Sequence, residues 1–353
     1  KIIDFNESNI HVVGYSSPIH KTLDLDELDK HLYTLPELPE AIPYITSYYK
    51  ERWGFCMSHK QRQGLTKGKY KVHIDSSLED GSLTYAELFI KGESKKEIFI
   101  STYICHPSLA NDNLSGPALV TYLAKHIQSI NKPRYSYRII FIPETIGAIA
   151  YLDKNMDALK KNVIAGFVVT CVGDNNHYSY LASRQENSLA DNVALHVLKY
   201  QAPHFKKYPY LDRGSDERQY CAPNVDLPVC SVMRTKYGEF DEYHTSLDNL
   251  DFINSEGFNG SFNVYEKMIT ALEQNFTYNV NVICEPQLGK RGLYPTISTK
   301  KTAGMVKNLK NLLVYCDGKH NLLEIAEKIN VPIWDLYDLV GQLVEHNLIS
   351  IKE

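Results

Sequence analysis

The sequence predicts an α/β fold: a mixed sheet flanked by helices, an antiparallel β-rich insertion before it, and a winged-helix module at the C-terminus. Three observations carry this reading. From residue 97 onward, apolar strand-like runs alternate with segments of helical period, the pattern of a layered α/β core. Residues 66–96 alternate polar and apolar side chains, the period of a half-buried sheet. Beyond Pro286, helical segments followed by a closing strand outline a small winged helix.

Residues 1–35 read as an N-terminal β-containing segment of an accessory or inserted subdomain. Residues 11–15 look like a short strand, and residues 23–32 like a helix with Leu25, Leu28 and Leu32 on one face. Residues 36–65 open the main domain. Pro36, Pro39 and Pro43 interrupt regular structure there, and residues 45–53 read as a helix stopped by Gly54. In 66–96, Tyr70, Val72 and Ile74 face one way and Lys69, Lys71 and His73 the other. Turn signals at Asp80-Gly81 and 92–96 make this stretch an antiparallel ribbon that feeds a buried strand at 97–104.

The main domain then continues to 285. Residues 117–127 form a helix with Leu119, Leu123 and Ile127 aligned. Strands follow at 137–142, 163–172 and 227–233, with helices at 145–159, 188–200 and 256–274. Residues 286–304 read as a linker, and 305–353 as the winged-helix-like module, with helices at 306–315, 322–329 and 332–346.

At 353 residues the chain can build two or three packed units. A formal charge of −4 argues against a general polyanion binder. Residues 300–353 balance acids and bases, so nucleic acid is not the expected partner. The seven cysteines are scattered, mostly in apolar runs, without a Cys-x-x-Cys pair. That suits reduced thiols in the cytoplasm, not a disulfide framework. No apolar run is long enough to span a bilayer, and no membrane partner is expected.

His106 and Asp112 lie between the 97–104 strand and the next helix, at the sheet edge where α/β proteins bind ligands. A neutral imidazole and a carboxylate suit a divalent metal. The stretch Asn111-Asp-Asn-Leu-Ser-Gly116 also reads as an N-cap and turn. Glu144 ends the next buried strand: it is a candidate general base, or a carboxylate favoured by a helix N-terminus. Asp174 follows the third strand as a metal ligand or a turn residue. His244, in Tyr243-His-Thr-Ser-Leu-Asp248, is a ligand or a buried, satisfied imidazole.

This order resembles the co-catalytic zinc aminopeptidases over residues 97–275, a superfamily that also holds carboxypeptidases and glutaminyl cyclases. The resemblance implies a zinc-exopeptidase-like sheet and a catalytic domain over 97–285. It implies one or two Zn ions, with His106, Asp174 and His244 as ligands, Asp112 as the bridge and Glu144 as the base. Two features depart from the family. Thr145 stands where a second Glu ligand is usual, and His106 lies only six positions before Asp112. The whole chain, through Trp53-Gly-Phe-Cys56, the 214–220 segment and the terminal module, resembles bacterial aminopeptidase-like proteins associated with polysaccharide biosynthesis.

In that family a Ser-Asp segment approaches the site, which makes Asp216, Arg213, Arg218 and Tyr243 substrate-binding candidates. An arginine, Arg234 included, could grip a carboxylate or serve an ordinary ion pair. The expected function is a zinc-dependent hydrolase acting on a small peptide or other amide. The alternative, motivated by Thr145, is a non-catalytic or regulatory protein that kept the fold. The terminal module would then contact a protein partner, a second copy or DNA.

Overall fold

The computed structural model describes residues 1–293 and 300–352. At the N-terminus, β1 (Ile19–Asp24) leads into the one-turn helix α1 (Leu25–Leu28). The two-residue strands β2 (Leu32–Tyr33) and β3 (Phe55–Cys56), helix α2 (His59–Gln63) and β4 (Lys69–Ile74) follow. Val72 and Ile74 turn inward, as their alternation predicts, and pack with Leu23, Leu28 and Phe55 in a small core of their own.

Several local expectations are corrected here. Residues 11–15 form isolated bridges at Val12 and Gly14 after a short 3-10 turn, not a strand. Residues 23–32 are not one helix: Leu23 pairs with Tyr70 in the β1–β4 ladder, which takes the first turn away. Residues 45–53 are not helical. Thr46 bridges Gly14, and a bend at 48–50 follows, so the stretch is irregular. Nor is 66–96 a ribbon: β4 pairs with β1, while β5 (Ala86–Ile90) joins another sheet.

That sheet is the centre of the molecule. It contains β5, β6 (Glu97–Ile104), β7 (Ser136–Pro143), β8 (Val163–Val168), β9 (Ser179–Leu181), β10 (Lys206–Tyr208) and β11 (Val229–Met233). Their order is β10-β9-β11-β8-β6-β7-β5. β7, β6, β8 and β11 run parallel, so their carboxyl ends share one edge. β5 and β9 are antiparallel to their neighbours β7 and β11.

Five helices flank the sheet: α3 (Ser115–Ser129), α4 (Ile146–Asn162), α5 (Leu189–Gln201), α6 (Glu217–Tyr220) and α7 (Ser255–Gln274). Side chains of α3, α5 and α7 pack over Ile98 and Ile100; those of α4 and α6 pack over Phe99 and Tyr103. With both faces covered, β6 must be apolar almost throughout, which is why it reads as a continuous run. Its one buried acid, Glu97, is gripped from both sides by Arg138 at 2.6 and 3.1 Å.

The C-terminal module comprises β12 (Thr277–Val280), α8 (Lys300–Val314), β13 (Asp317–Asn321), α9 (Leu322–Ile329), α10 (Tyr337–Glu345) and β14 (Ile349–Ile351). β12 pairs antiparallel with both β13 and β14. The module therefore starts near Thr277, ahead of the expected 305, because its first strand precedes the helices. Leu288 and Leu293, in the expected 286–304 linker, are buried, and residues 294–299 of that linker lie outside the described residues. Leu309, Leu312, Leu336 and Leu343 belong to the same apolar cluster as α5 and α7. No helix among the described residues is long and apolar enough to cross a membrane.

Candidate metal centre and catalytic cleft

The shared edge of the parallel strands collects the candidate residues. Cys105 and His106 follow β6, Glu144 follows β7, Thr170 to Asp174 follow β8, and Arg234 and Thr235 follow β11. Between β6 and α3 the chain winds through Ala110–Leu114, and Gly116 opens the helix close against the sheet. A Cβ on Gly116 would sit 2.5 Å from Thr102 Oγ1, Asn113 Oδ1 and Val169 O, so no larger residue fits without displacement. The glycine of the Asn-Asp-Asn-Leu-Ser-Gly stretch is thus required by close packing.

Asp112 is 1 % exposed and held at every point except one oxygen. Its backbone N–H and that of Asn111 donate to the two carboxylate oxygens of Asp248, at 2.9 and 2.6 Å. Tyr103 donates its hydroxyl to Asp112 Oδ1 at 2.9 Å and lies 2.6 Å from Thr170 Oγ1. Asp112 Oδ2 faces two imidazoles: His106 Nδ1 at 3.5 Å and His244 Nε2 at 3.5 Å. The two rings meet edge to face, centroids 4.3 Å apart. Burial lowers the pKa of His106, which favours the neutral ring that a metal needs. His244 Nε2 is buried and has no hydrogen-bond partner.

His244 gets its place from the far end of the chain. Tyr44 donates its N–H to the His244 carbonyl at 2.9 Å, and Ile42 and Ser246 exchange hydrogen bonds beside it. The Tyr44 ring consequently packs edge-on against both His106 and His244, at 4.8 and 5.8 Å. Tyr243 stacks flat on His244 at 3.8 Å. These rings wall the imidazoles.

Glu144 is drawn into the same electrostatic neighbourhood. Burial, and next the negative charge of Asp112, push its carboxyl up to about 7, while Arg218 pulls the other way. Thr145 adopts φ 61°, a left-handed conformation that costs a β-branched residue energy. It is held there by Asp216, whose Oδ1 accepts the Thr145 N–H at 2.7 Å, and by Arg218, which donates to Thr145 Oγ1 at 2.5 Å. Asp216 is fully buried; burial raises its carboxyl to about 8, and its Oδ2 has no partner. Glu217 beside it accepts from Gly214 N, Ser215 N and the Tyr237 hydroxyl.

Of the residues read from the sequence, His106, Asp112, Glu144, Tyr243 and His244 converge, and Asp216 and Arg218 shape the Glu144 turn. Asp174 engages its carboxylate in protein hydrogen bonds. It accepts from Asn111 Nδ2, Asn176 N, Thr235 N and Thr235 Oγ1, between 2.7 and 3.1 Å, and so ties the loop after β8 to β11. The bridging role of Asp112 is also narrowed, since Oδ1 is held by Tyr103 and one oxygen serves both imidazoles. Arg213 stacks on Tyr210 at 4.6 Å, within its own turn, and not on the converging group. Arg234 is buried over the Tyr178 ring at 4.0 Å and donates to Asn175, a structural position. Sequence reasoning missed Tyr44, Tyr103 and Cys105, since a lone tyrosine or cysteine carries no spacing signal.

The donors fit a zinc-type cation. Ligand atoms about 2.0–2.2 Å from a tetrahedral zinc are roughly 3.4 Å apart. The two nitrogen-to-oxygen separations of 3.5 Å match that edge, and His244 Nε2 has no hydrogen-bond partner; among the described residues the donors that all lie within 4.8 Å of one another are those of Cys105, His106 and Asp112.

A family model described as a domain of unknown function, DUF4910, matches residues 12–275, and a winged helix-turn-helix model matches 276–351. The second boundary agrees with β12 as the start of the module. A Clostridium acetobutylicum protein is 47 % identical over 330 residues, covering 93 % of this chain and 75 % of its own length. It is described as a candidate polysaccharide biosynthesis protein with an aminopeptidase-like domain. A crystal structure of a candidate peptidase from Clostridium acetobutylicum is 44 % identical, with a TM-score of 0.92 over 100 % of this chain and 80 % of that one. A zinc aminopeptidase from Bacillus subtilis is 12 % identical, with a TM-score of 0.53 over 68 % of this chain and 63 % of that one, a likeness of fold. The chain belongs to the DUF4910 family, as an aminopeptidase-like α/β domain that carries a C-terminal winged helix.

Proposed function

We propose that the protein is a metal-dependent hydrolase that cleaves an amide or peptide bond in a small substrate. The observation that carries this reading is the meeting of His106 Nδ1 and His244 Nε2 on one Asp112 oxygen, each at 3.5 Å. His106, Asp112 and His244 would hold the ion, and two nitrogens with one carboxylate oxygen suit zinc. Zinc supplies Lewis acidity there, lowering the pKa of water to about 7 and polarising a carbonyl.

Glu144 acts as general base: it takes a proton from the attacking water and returns it to the departing amine. Its burial raises the carboxyl's proton affinity, which suits a group that must take up a proton and return it. Asp216 and Arg218 fix the Thr145 turn that aims Glu144. Tyr44 and Tyr243 pack against the imidazoles and orient them. Asp248 sets the backbone of Asp112. With Thr145 in place of a carboxylate and Asp174 occupied, a single ion is favoured.

The test is Glu144→Gln, with zinc measured by elemental analysis and turnover on a panel of aminoacyl anilides and acylated amino sugars. The variant should keep its zinc and lose at least roughly 100-fold in turnover. Full turnover would remove Glu144 from this role. A wild-type protein that takes up no zinc on reconstitution would favour the non-catalytic reading instead.

A further inference from the structure

We propose that Cys105 is a protein ligand to the ion that His106 and Asp112 hold. The inference rests on the metal reading above and adds a residue to it.

Cys105 Sγ lies 3.0 Å from His106 Nδ1, the nitrogen that faces Asp112 Oδ2. The ligand atoms of Cys105, His106 and Asp112 all lie within 4.8 Å of one another. A thiolate about 2.3 Å and an imidazole about 2.0 Å from one tetrahedral zinc sit roughly 3.5 Å apart, so the observed pair needs to open by only about half an ångström. The cage is otherwise short of donors. Asp174 is occupied by four protein hydrogen bonds, and Thr145 brings a hydroxyl whose oxygen accepts from Arg218. Among the described residues, Cys105 completes the group of donors gathered at His106 and Asp112, and it is partly buried.

On binding, the S–H bond breaks, its proton leaves to solvent, and a sulfur–metal bond forms. A thiolate also selects the metal: it favours zinc or cobalt over magnesium, calcium or manganese.

The experiment loads metal-free full-length protein with cobalt(II) and records its absorption spectrum. Wild type should show visible d–d bands together with a near-ultraviolet sulfur-to-cobalt charge-transfer band. Cys105→Ser should keep d–d bands, lose the charge-transfer band and bind zinc at least roughly tenfold more weakly. In parallel, zinc should protect Cys105 of the wild type from iodoacetamide, mapped by mass spectrometry. Cobalt bands without charge transfer, a charge-transfer band lost in Cys171→Ser instead, or labelling of Cys105 unchanged by bound zinc would each overturn the assignment while leaving the metal site standing. No uptake of either metal would overturn both.

Discussion

Glu144 is a carboxylate whose proton affinity is set by its neighbours. Burial and Asp112 raise it; Arg218 lowers it. Arg218→Ala removes the lowering charge, so the acid limb of the kcat/KM profile should move to higher pH, read from rates between pH 5 and 9. A limb that stays fixed would show that Arg218 does not face the base in the working enzyme. Asp216 gives a stability counterpart. Its folded pKa of about 8 lies far above its unfolded value, so the folded chain holds a proton that the unfolded chain releases. That contribution is fully present below about 4 and fades as pH rises through 8. Asp216→Asn keeps an acceptor for Thr145 N–H and should flatten the fall of melting temperature between pH 6 and 9. At this scale the sequence brought out candidates where residue type and strand end coincide, as at His106 after β6 and Glu144 after β7. It left Asp174 open, because a turn aspartate and a ligand aspartate look alike until their partners are known.

The connection from β6 to α3 holds the greatest concentration of constraint among the elements. Gly116→Ala would ordinarily strengthen a helix by about 1 kcal/mol. Here the new methyl meets three oxygens at 2.5 Å, so a net loss of roughly 1–3 kcal/mol is expected from denaturant melts, with weaker zinc uptake as Asn113 shifts. Asp248→Ala leaves the amides of Asn111 and Asp112 without acceptors, at about 1–3 kcal/mol for each orphaned group. Its zinc affinity should fall with it, measured by competition with a chelator. Long elements such as α7 and the doubly covered β6 were legible because burial on one stripe or on both faces writes a period into the chain. Three-residue strands such as β9 and β10 were not, being too short to show one. Residues 45–53 failed differently: Gly14 supplies the bridge partner of Thr46, and nothing local reports it.

For the whole molecule, the winged-helix module is not an appendage. His196, buried on α5, contacts Glu327 through Nδ1 and accepts the Ile333 N–H at Nε2, 2.9 Å away. Burial lowers the pKa of His196, so its neutral form belongs to the folded state. The contribution is present above about pH 6.5 and is lost as pH falls through the folded value, when the unfolded chain binds the extra proton. His196→Gln should blunt acid destabilisation between pH 7 and 5, followed by calorimetry. The alternating strands and helices made the layered core readable at this scale, but the union of the two units rests on scattered leucines that no motif marks. The join between Ile42 and Ser246 crosses 204 positions of chain. A ribosome must therefore finish most of the domain before the Tyr44 ring can close against the two imidazoles.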